Sequence, residues 1–481
     1  MPDSEIISSW DDPATVTKRL APALQSRGIS ASIVSCAVSP LGGHSGLSGD
    51  LSSLQLTFDD TTSISLVLKR TLPTEDAKKY SKKLGLYREG VFYSTVGPWI
   101  QQRLDMVPAS CEFEAHHGDA QHHHSFIPQA LFAASDAETG QKAIVLDFYS
   151  NATEAGVHFP HSVHNVIREM DQAQNSNPDN YSTNEKPKHN SKSPTPSAKE
   201  KRLSITLEAT RIAASLHGSF YRDNSIFTNE SVAQSLRMAD WIQGEGKESF
   251  LESQKEIVDR WSTAKERWTT GEFFDGKVKL SKEFVEVMDA SCALALDFDS
   301  FVSKWNLKNS TNDVAESDGD NNEIAWCLVH GDYHPGNMLC LDESNSNSLT
   351  LNQPKLILLD WEVVGVGSGP QDIGQFLISH TETQEAFNML DEVVIVYRQS
   401  LISTLDAVNR GRGRRQAVPS LEAIKREMVY GGIERWVWLF GYMAGWEESI
   451  PWLYMQYFHD QMQGWIVVNG VTPESVGMPR P

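Results

Sequence analysis

The chain has 481 residues, of which 40% are hydrophobic and 22% charged, so it can bury a sizeable core and form more than one lobe. Its formal net charge of −21 disfavours non-specific binding to nucleic acid or to an anionic membrane. The five cysteines lack the paired spacing of a metal site, and no apolar stretch reaches transmembrane length, so we expect a soluble cytoplasmic protein.

A glycine-rich segment between Leu41 and Gly49 separates two strand-like stretches. Glycines such as Gly43 and Gly46 let backbone amides approach a phosphate closely. The spacing differs from the G-x-G-x-x-G pattern, so a nucleotide-binding loop and a flexible surface hairpin are both open interpretations.

The next segment predicts a strand followed by a helix. Residues 63–70 alternate between apolar and polar side chains, which indicates a strand, and Lys69 lies at its end. Glu89 lies in a helix-like segment, residues 86–93. A lysine at such a strand end can reach the α- and β-phosphates of a nucleotide, with a glutamate on the next helix holding it in place. A solvated strand end and a solvated helix face are the alternatives.

A buried strand and a polar insertion follow. Residues 142–149 form an apolar run that ends in polar residues, among them Asp147 and Tyr149, as expected for a hinge between two lobes. Residues 171–199 are rich in Asn, Ser, Pro and Lys. Because this stretch has too few apolar side chains to offset its ordering entropy by burial, we predict that it is disordered.

The most informative motif begins at Val329, where His330, Asp332 and Asn337 keep the spacing H-x-D-x-x-x-x-N. Phosphoryl transfer requires the positioning of a hydroxyl, a γ-phosphate and Mg²⁺ more than it requires covalent chemistry. We expect Asp332 to accept or orient the hydroxyl proton and Asn337 to offer a neutral oxygen to a metal. His330 is expected to hold the loop by hydrogen bonds. An ordinary turn is the alternative.

A second acidic motif follows the predicted strand at residues 355–359. Asp360 would supply the charged metal ligand beside Asn337, and whether Glu362 also approaches the metal is open. Asp372 either braces the catalytic loop or caps the next helix. The short gap between Asp360 and Asp372 leaves no room for the activation segment of a protein kinase, so a small-molecule acceptor is favoured.

The two motifs, His330-Gly-Asp332 with Asn337 and then Asp360-Trp361, resemble the aminoglycoside phosphotransferase and choline kinase-like superfamily, which includes ecdysteroid kinase-like proteins. The resemblance implies a protein-kinase-like bilobal α/β (α+β) fold, with a strand-rich N-lobe and a helical C-lobe. It also implies ATP and Mg²⁺ as cofactors and a small-molecule hydroxyl as the acceptor.

The resemblance further implies a nucleotide site made of a clamp, a loop and a hinge. Its catalytic residue would be Asp332, and its metal ligands Asn337 and Asp360. Adenine would bond to backbone groups at the hinge, so side-chain identity says little there. The implied cofactor-binding residues are Lys69, Glu89, Gly43, Gly46, Asp147 and Tyr149.

From these motifs we assign residues 1–150 to a nucleotide-binding N-lobe and residues 151–481 to a helical C-lobe with the catalytic loop and the acceptor pocket. The predicted function is transfer of the ATP γ-phosphate to a hydroxyl of a small molecule. A catalytically silent nucleotide-binding scaffold and, less favoured, a protein kinase are the alternatives. We predict no nucleic-acid or membrane partner, and the oligomeric state stays open.

Three further segments allow two interpretations each. Residues 207–217 have helical spacing and end in His217, which we expect to be packed or capping rather than catalytic. The aromatic residues between 436 and 457 form either the core of the lobe or the wall of an acceptor pocket, where aromatic faces with carboxylates would suit an amine or a quaternary ammonium group. The histidine-rich residues 116–124 form either a solvated loop or a metal site, and we favour the loop.

Overall fold

The structure is a computed structural model. It describes residues 7–41, 49–105, 125–162, 165, 196–305, 324–341, 354–409 and 417–476.

The amino-terminal part of the chain forms one antiparallel sheet of five strands. The strands are β1 (Ile33–Pro40), β2 (Gly49–Phe58), β3 (Ser63–Thr71), β4 (Ala130–Asp136) and β5 (Gln141–Asp147). Their spatial order is β1-β2-β3-β5-β4, which puts β3 and β5 side by side in the interior of the sheet. Residues at the ends of these two strands are therefore brought close together.

Both faces of this sheet are covered. Helix α1 (Pro13–Ser26) lies on one face, where Leu20 packs in the same buried cluster as Leu54. On the other face, Ile144 belongs to the large core that it shares with Phe92. The alternation of buried side chains along a strand produces this two-sided burial. The helical segment on the inner face comprises α2 (Glu75–Leu84), α3 (Arg88–Val91), a π-helical turn (Phe92–Val96) and α4 (Gly97–Asp105).

Two small antiparallel sheets, formed by strands that follow the five-stranded sheet along the chain, position the catalytic motifs. Their strands are β6 (Ala152–Glu154), β7 (Trp326–Val329), β8 (Met338–Leu341), β9 (Lys355–Leu358) and β10 (Gly365–Ser368). One sheet has the order β6-β8-β9, and β7 pairs with β10. The backbone N–H of Leu359 donates to the carbonyl of Asn337 at 2.8 Å. The loop after β7 and the turn after β9 therefore meet.

The rest of the described chain is mainly helical. The helices are α5 (Pro196–Ser219), α6 (Ser225–Thr228), α7 (Glu230–Ala233), α8 (Ala239–Ile242), α9 (Lys247–Thr270), α10 (Lys282–Ala295), α11 (Phe298–Trp305), α12 (Gly369–His380), α13 (Thr383–Val408), α14 (Leu421–Ala444), α15 (Trp452–Val468) and α16 (Pro473–Val476). Short 3₁₀ helices span Ala155–His158, Phe273–Gly276 and Pro335–Asn337.

Helices α12 and α14 approach each other closely because glycines face one another. A Cβ atom at Gly374 would overlap the carbonyl of Met428, and one at Gly432 would lie 3.1 Å from the Cα of Gly374. This close packing brings Gln375 and Arg435 into contact, with Arg435 Nε donating to Gln375 Oε1 at 3.3 Å. The two helices thus support one side of the catalytic loop.

The predicted fold class is confirmed: a strand-rich amino-terminal part is followed by a mainly helical carboxy-terminal part. One boundary of the disordered insertion is wrong, because α5 begins at Pro196, inside the predicted range of residues 171–199. Proline is favoured in the first turn of a helix, so it starts this helix rather than extending the polar stretch. Among the helices of the described segments, none combines the length and the apolar character needed to cross a bilayer.

Several predictions fall outside the described residues. These are the nucleotide-loop glycines Gly43 and Gly46, the histidine-rich residues 116–124, and the insertion up to residue 195. The strands on either side of residues 42–48, β1 and β2, pair in antiparallel orientation, which agrees with the two strand-like stretches expected there.

Candidate active site

The catalytic loop has a backbone conformation that requires glycine. Gly331 has φ of 80°, and a Cβ atom there would lie 2.5 Å from the carbonyl of Val363. His330 is buried beneath the loop, and its Nε2 donates to the carbonyl of Leu359 at 2.9 Å. Burial lowers the pKa of His330, which favours the neutral form of its imidazole ring. His330 therefore holds the loop, as its place in the sequence predicts.

Asp372 braces the same loop from the first turn of α12. Its carboxylate accepts the backbone N–H of His330 at 2.9 Å and that of Gly331 at 3.1 Å. The buried His217 lies 3.3 Å from the same carboxylate. Helix α12 has Ser368 at its cap position. Of the two predicted roles of Asp372, the structure shows the brace, and it shows His217 as a packed residue.

We predict that Asp372→Ala will lower both kcat and the midpoint of thermal unfolding. The substitution leaves two backbone N–H groups and an imidazole without an acceptor, and each buried unsatisfied group costs about 1–3 kcal/mol. Asp372→Asn keeps one carbonyl acceptor, so its effects should be smaller. Equal effects of the two substitutions on kcat and on the unfolding midpoint would contradict the role of Asp372 as an acceptor.

The two oxygens of Asp332 face different neighbours. Oδ1 accepts from Gln375 Nε2 at 2.7 Å and lies 3.7 Å from the guanidinium of Arg435. Oδ2 accepts from Asn337 Nδ2 at 3.2 Å and lies 3.6 Å from His334 Nε2. Burial raises the pKa of Asp332, but the charges of His334 and Arg435 and the bond from Gln375 outweigh it and hold the pKa well below its usual range. Asp332 is therefore an ionised acceptor.

The pairing of His334 with Asp332 predicts a pH-dependent stability. Burial lowers the pKa of His334, but the carboxylate of Asp332 acts in the opposite direction. The net pKa of His334 is above that of an ordinary histidine. A raised folded-state pKa stabilises the protein fully below the unfolded pKa of about 6.5, and the stabilisation is lost as the pH rises through the folded pKa.

We therefore expect the free energy of unfolding of the metal-free protein, measured in urea, to fall between pH 6 and pH 9. His334→Gln should remove the share of this fall that comes from the pair of His334 and Asp332. Asp332→Asn should reduce the same share, because the charge that pairs with His334 is then absent. An unchanged pH profile in His334→Gln would show that His334 does not carry the effect.

Asn337 and Asp360 are oriented for a cation. Asn337 Nδ2 donates to Asp332, and its amide oxygen has no hydrogen-bond partner among the residues that the structure describes, so this oxygen is left for a metal. Asp360 has φ of 61°, a left-handed conformation that a non-glycine residue adopts rarely and aspartate tolerates better than most. Strain of this kind concentrates at functional sites. A neutral and a charged oxygen suit Mg²⁺ together with phosphates, so these two residues fit the predicted metal.

Lys69 joins the sheet to the catalytic motifs. Its Nζ lies 2.8 Å from a carboxylate oxygen of Glu89, 3.0 Å from Asp360 and 3.3 Å from Glu362. Although burial lowers the pKa of Lys69, these three carboxylates raise it well above its usual value, so the amine is charged. The structure thus brings Lys69, Glu89 and Asp360 together, as the sequence predicts.

A second lysine in this cluster was missed by the sequence analysis. Lys142 is the second residue of β5, is fully buried, and lies 2.6 Å from Glu89; it also contacts Glu362. The signal was present, because a lysine at the head of an apolar strand can be buried only with a charged partner. Carboxylate oxygens of Glu89, Asp360 and Glu362 lie within 4.8 Å of one another and could hold an ion. The role of Glu362 is thus at least to neutralise the two lysines.

The predicted hinge residues lie at the end of β5. Asp147 is paired with Leu66 in the sheet register, and its carboxylate accepts from Arg27 at 3.0 Å. The carbonyl of Tyr149 accepts the N–H of Ala152 at 3.2 Å, so it turns the chain toward β6 rather than presenting a free acceptor. Asp147 and Tyr149 therefore lie where the five-stranded sheet ends and the chain enters the next sheet.

The aromatic residues of α14 divide into two sets. Trp436 and Phe440 are buried in the core. Trp438 and Tyr442 are partly exposed on another face, where their rings stack at 5.2 Å. The hydroxyl of Tyr442 lies 3.3 Å from that of Tyr80 in the amino-terminal part. Both proposed roles of this segment, core and pocket wall, are therefore compatible with different faces of one helix.

Residues 247–410 match the model of the ecdysteroid kinase-like family. The matched segment contains Asp332, Asn337 and Asp360, and it agrees with the superfamily that the sequence motifs resemble. No curated protein matches the sequence significantly.

Three solved structures of small-molecule phosphotransferases are similar to the chain along most of its length. A choline kinase from Cryptosporidium parvum has a TM-score of 0.44 at 10% identity, with 91% of this chain and 92% of that chain covered. A GDP complex of an aminoglycoside 2′-phosphotransferase has a TM-score of 0.41 at 10% identity, with 96% of this chain and 99% of that chain covered. A Plasmodium vivax ethanolamine kinase has a TM-score of 0.39 at 9% identity, with 95% of this chain and 86% of that chain covered. At these values the similarities identify neither the nucleotide nor the acceptor of this chain.

Proposed function

We propose that this protein is an ATP- and Mg²⁺-dependent small-molecule kinase, which transfers the γ-phosphate of ATP to a hydroxyl group. The observation that carries the proposal is the position of Lys69, which contacts Glu89 and Asp360 at once. A lysine held by a glutamate and facing a metal-binding aspartate is the arrangement that phosphoryl transfer requires. The match to the ecdysteroid kinase-like family supports the same class.

In this proposal, each residue has one role. Lys69 binds the phosphates and Glu89 holds Lys69 in place. Asn337 and Asp360 would hold Mg²⁺, which neutralises charge on the phosphates. The backbone after β5, near Asp147, accommodates the adenine.

Asp332 accepts a hydrogen bond from the hydroxyl of the acceptor. Its lowered pKa makes it a weak proton acceptor in the ground state, so its first task is to orient the hydroxyl toward the γ-phosphate. It takes the proton as the bond between the hydroxyl oxygen and the γ-phosphorus forms, while the bond from the γ-phosphorus to the β–γ bridging oxygen breaks and ADP leaves. Gln375 fixes the direction of the carboxylate through its 2.7 Å bond.

The test is incubation of the full chain with γ-labelled ATP, Mg²⁺ and a metabolite extract, followed by separation of small molecules from protein. We expect labelled small molecules, no label when Mg²⁺ is chelated, and label formed about 10² to 10⁴-fold more slowly when Asp332→Asn replaces the wild type. Label on proteins instead would indicate a protein kinase. Nucleotide binding without transfer to any component would indicate a scaffold and overturn the proposal.

The acceptor is proposed to be a small molecule. The protein itself is proposed to have no nucleic-acid or membrane partner and to be cytoplasmic. The net charge of −21 supports the proposal that nucleic acids and anionic membranes are not partners, because such a chain repels polyanions.

A further inference from the structure

Three arginines from three separate elements lie close together, and two of them, Arg237 and Arg435, interact with Asp332. Arg88 lies in α3, Arg237 precedes α8, and Arg435 lies in α14. Burial and the charges of Arg435 and Arg88 lower the pKa of Arg237 to about 9, while the charge of Asp332 raises it. These groups are therefore close enough to repel one another.

The backbone holds Arg237 in this position. Its N–H donates to the carbonyl of Val364 at 3.0 Å, and its own carbonyl accepts the N–H of Val366 at 3.0 Å. Arg237 thus forms a bridge to Gly365 at the start of β10, directly after the Asp360 turn. The repulsion between the arginines is therefore built into the fold.

Carboxylates are too few to neutralise these arginines. The guanidinium of Arg237 makes no hydrogen bond or ion pair with any residue that the structure describes. The NH1 of Arg88 reaches only the carbonyls of Leu84 and Gly85, both at 3.5 Å, and its Nε is buried without an acceptor among the described residues. Arg435 has Asp332, but only at 3.7 Å. Clustered positive charge without counter-charge is costly unless an anion completes it.

Trp438 forms the floor of this cluster. The guanidinium carbon of Arg237 lies 4.7 Å from its ring centroid and that of Arg435 lies at 5.2 Å, while Tyr442 stacks on the ring. An ammonium group would have to displace a guanidinium to reach this ring. The indole Nε1 is buried without an acceptor in the described part of the chain, so it is a further donor for an anion. The amine-binding hypothesis for this aromatic face is therefore disfavoured.

We propose that the acceptor carries an anionic group, a carboxylate, sulfate or phosphate, which Arg237 and Arg435 bind over Trp438 while Asp332 holds the hydroxyl to be phosphorylated. This inference rests on the proposed function and names the class of its acceptor.

The geometry of Asp332 separates this anion site from the nucleotide. Oδ2 faces Asn337, on the metal side, whereas Oδ1 faces Gln375 and Arg435. A hydroxyl bound to Asp332 therefore has the metal on one side and the arginines on the other. Arginine is suited to this task because its planar fork matches the oxygens of carboxylate, sulfate and phosphate.

The first experiment measures binding of sulfate to the full chain by isothermal titration calorimetry, with chloride at the same ionic strength as the reference. We expect sulfate to bind in the presence of a saturating, non-hydrolysable ATP analogue, whose own binding is measured first. Arg237→Gln and Arg435→Gln should each weaken sulfate binding at least about tenfold, in line with the energy of a charge-assisted hydrogen bond.

Arg260→Gln is the matched control. Arg260 also lies over an aromatic ring of α14, at 4.6 Å from Tyr442, but it is neutralised by Glu256 at 2.6 Å. Its substitution should leave sulfate binding unchanged. No preference for sulfate over chloride would overturn the proposal, and so would loss of sulfate binding when the ATP analogue is present, because the arginines would then bind the γ-phosphate.

The second experiment identifies the acceptor chemistry. Products labelled from a metabolite extract are purified by their label, the acceptor in each is identified by mass spectrometry, and the same unphosphorylated compound is tested for retention on an anion exchanger. Retained acceptors support the proposal, and neutral or cationic ones contradict it. If no labelled product forms, the proposed function fails, and the sulfate titration then decides on the anion site alone.

Discussion

Asp332→Asn is expected to lower kcat about 10² to 10⁴-fold, the usual contribution of a positioned general base. The amide keeps the size of the side chain, but it cannot accept the proton of the hydroxyl. Nucleotide affinity should stay close to that of the wild type, because Lys69 and Asp360 contact each other and not Asp332. The measurement is kcat for product formation, together with calorimetric titration of the ATP analogue.

The matched control is Asp391→Asn. Asp391 is largely exposed and pairs with Lys425 at 2.7 Å on the surface of the helical region. Its kcat should equal that of the wild type. Wild-type turnover in Asp332→Asn would remove this residue from the reaction, and a parallel loss of nucleotide affinity would show that the change disturbs the fold of the site.

Lys142→Met is expected to lower the free energy of unfolding by about 3–5 kcal/mol, the cost of breaking a buried ion pair from one side. Lys142 is fully buried between Glu89 and Glu362, so its removal leaves two carboxylates with Lys69 as their remaining partner. The free energy is measured by urea unfolding at pH 7.

Lys82→Met provides the comparison, because Lys82 is exposed and lies 3.9 Å from the exposed Glu138. Its effect should stay within the range of surface pairs, about 0–1 kcal/mol. The double substitution Lys142→Met with Glu362→Gln should be less destabilised than the sum of the single ones, since the uncompensated charge is gone. Strict additivity would show that Lys142 and Glu362 do not interact.

Local sequence patterns were sufficient to predict three segments that the structure brings together. The strand that ends at Lys69, the helix with Glu89 and the loop with Asp332 each follow from periodicity or from fixed spacing over a few residues. Fixed spacing works here because one loop has to position both a hydroxyl and a metal, and that geometry allows few lengths. The structure brings these segments together in the predicted order.

The residues that the sequence did not reveal are those whose partners are distant along the chain. Lys142 is 220 positions from Glu362, and Arg237 meets Arg435 only through the packing of separate helices. Neither residue belongs to a motif with fixed spacing, and their roles arise from tertiary packing. Asp372 lies between these cases, because its place at a helix start allowed two roles and only its contacts with the loop distinguished them.

The contact between Lys69 and Asp360 bears on the order in which substrates bind. The ammonium group of Lys69 lies 3.0 Å from the carboxylate of Asp360, which a divalent ion would use. A free cation must compete with this tethered charge, whereas a cation that arrives with a polyphosphate offers Lys69 a new anionic partner in exchange. We therefore expect a divalent ion to bind more tightly as its nucleotide complex than as the free ion.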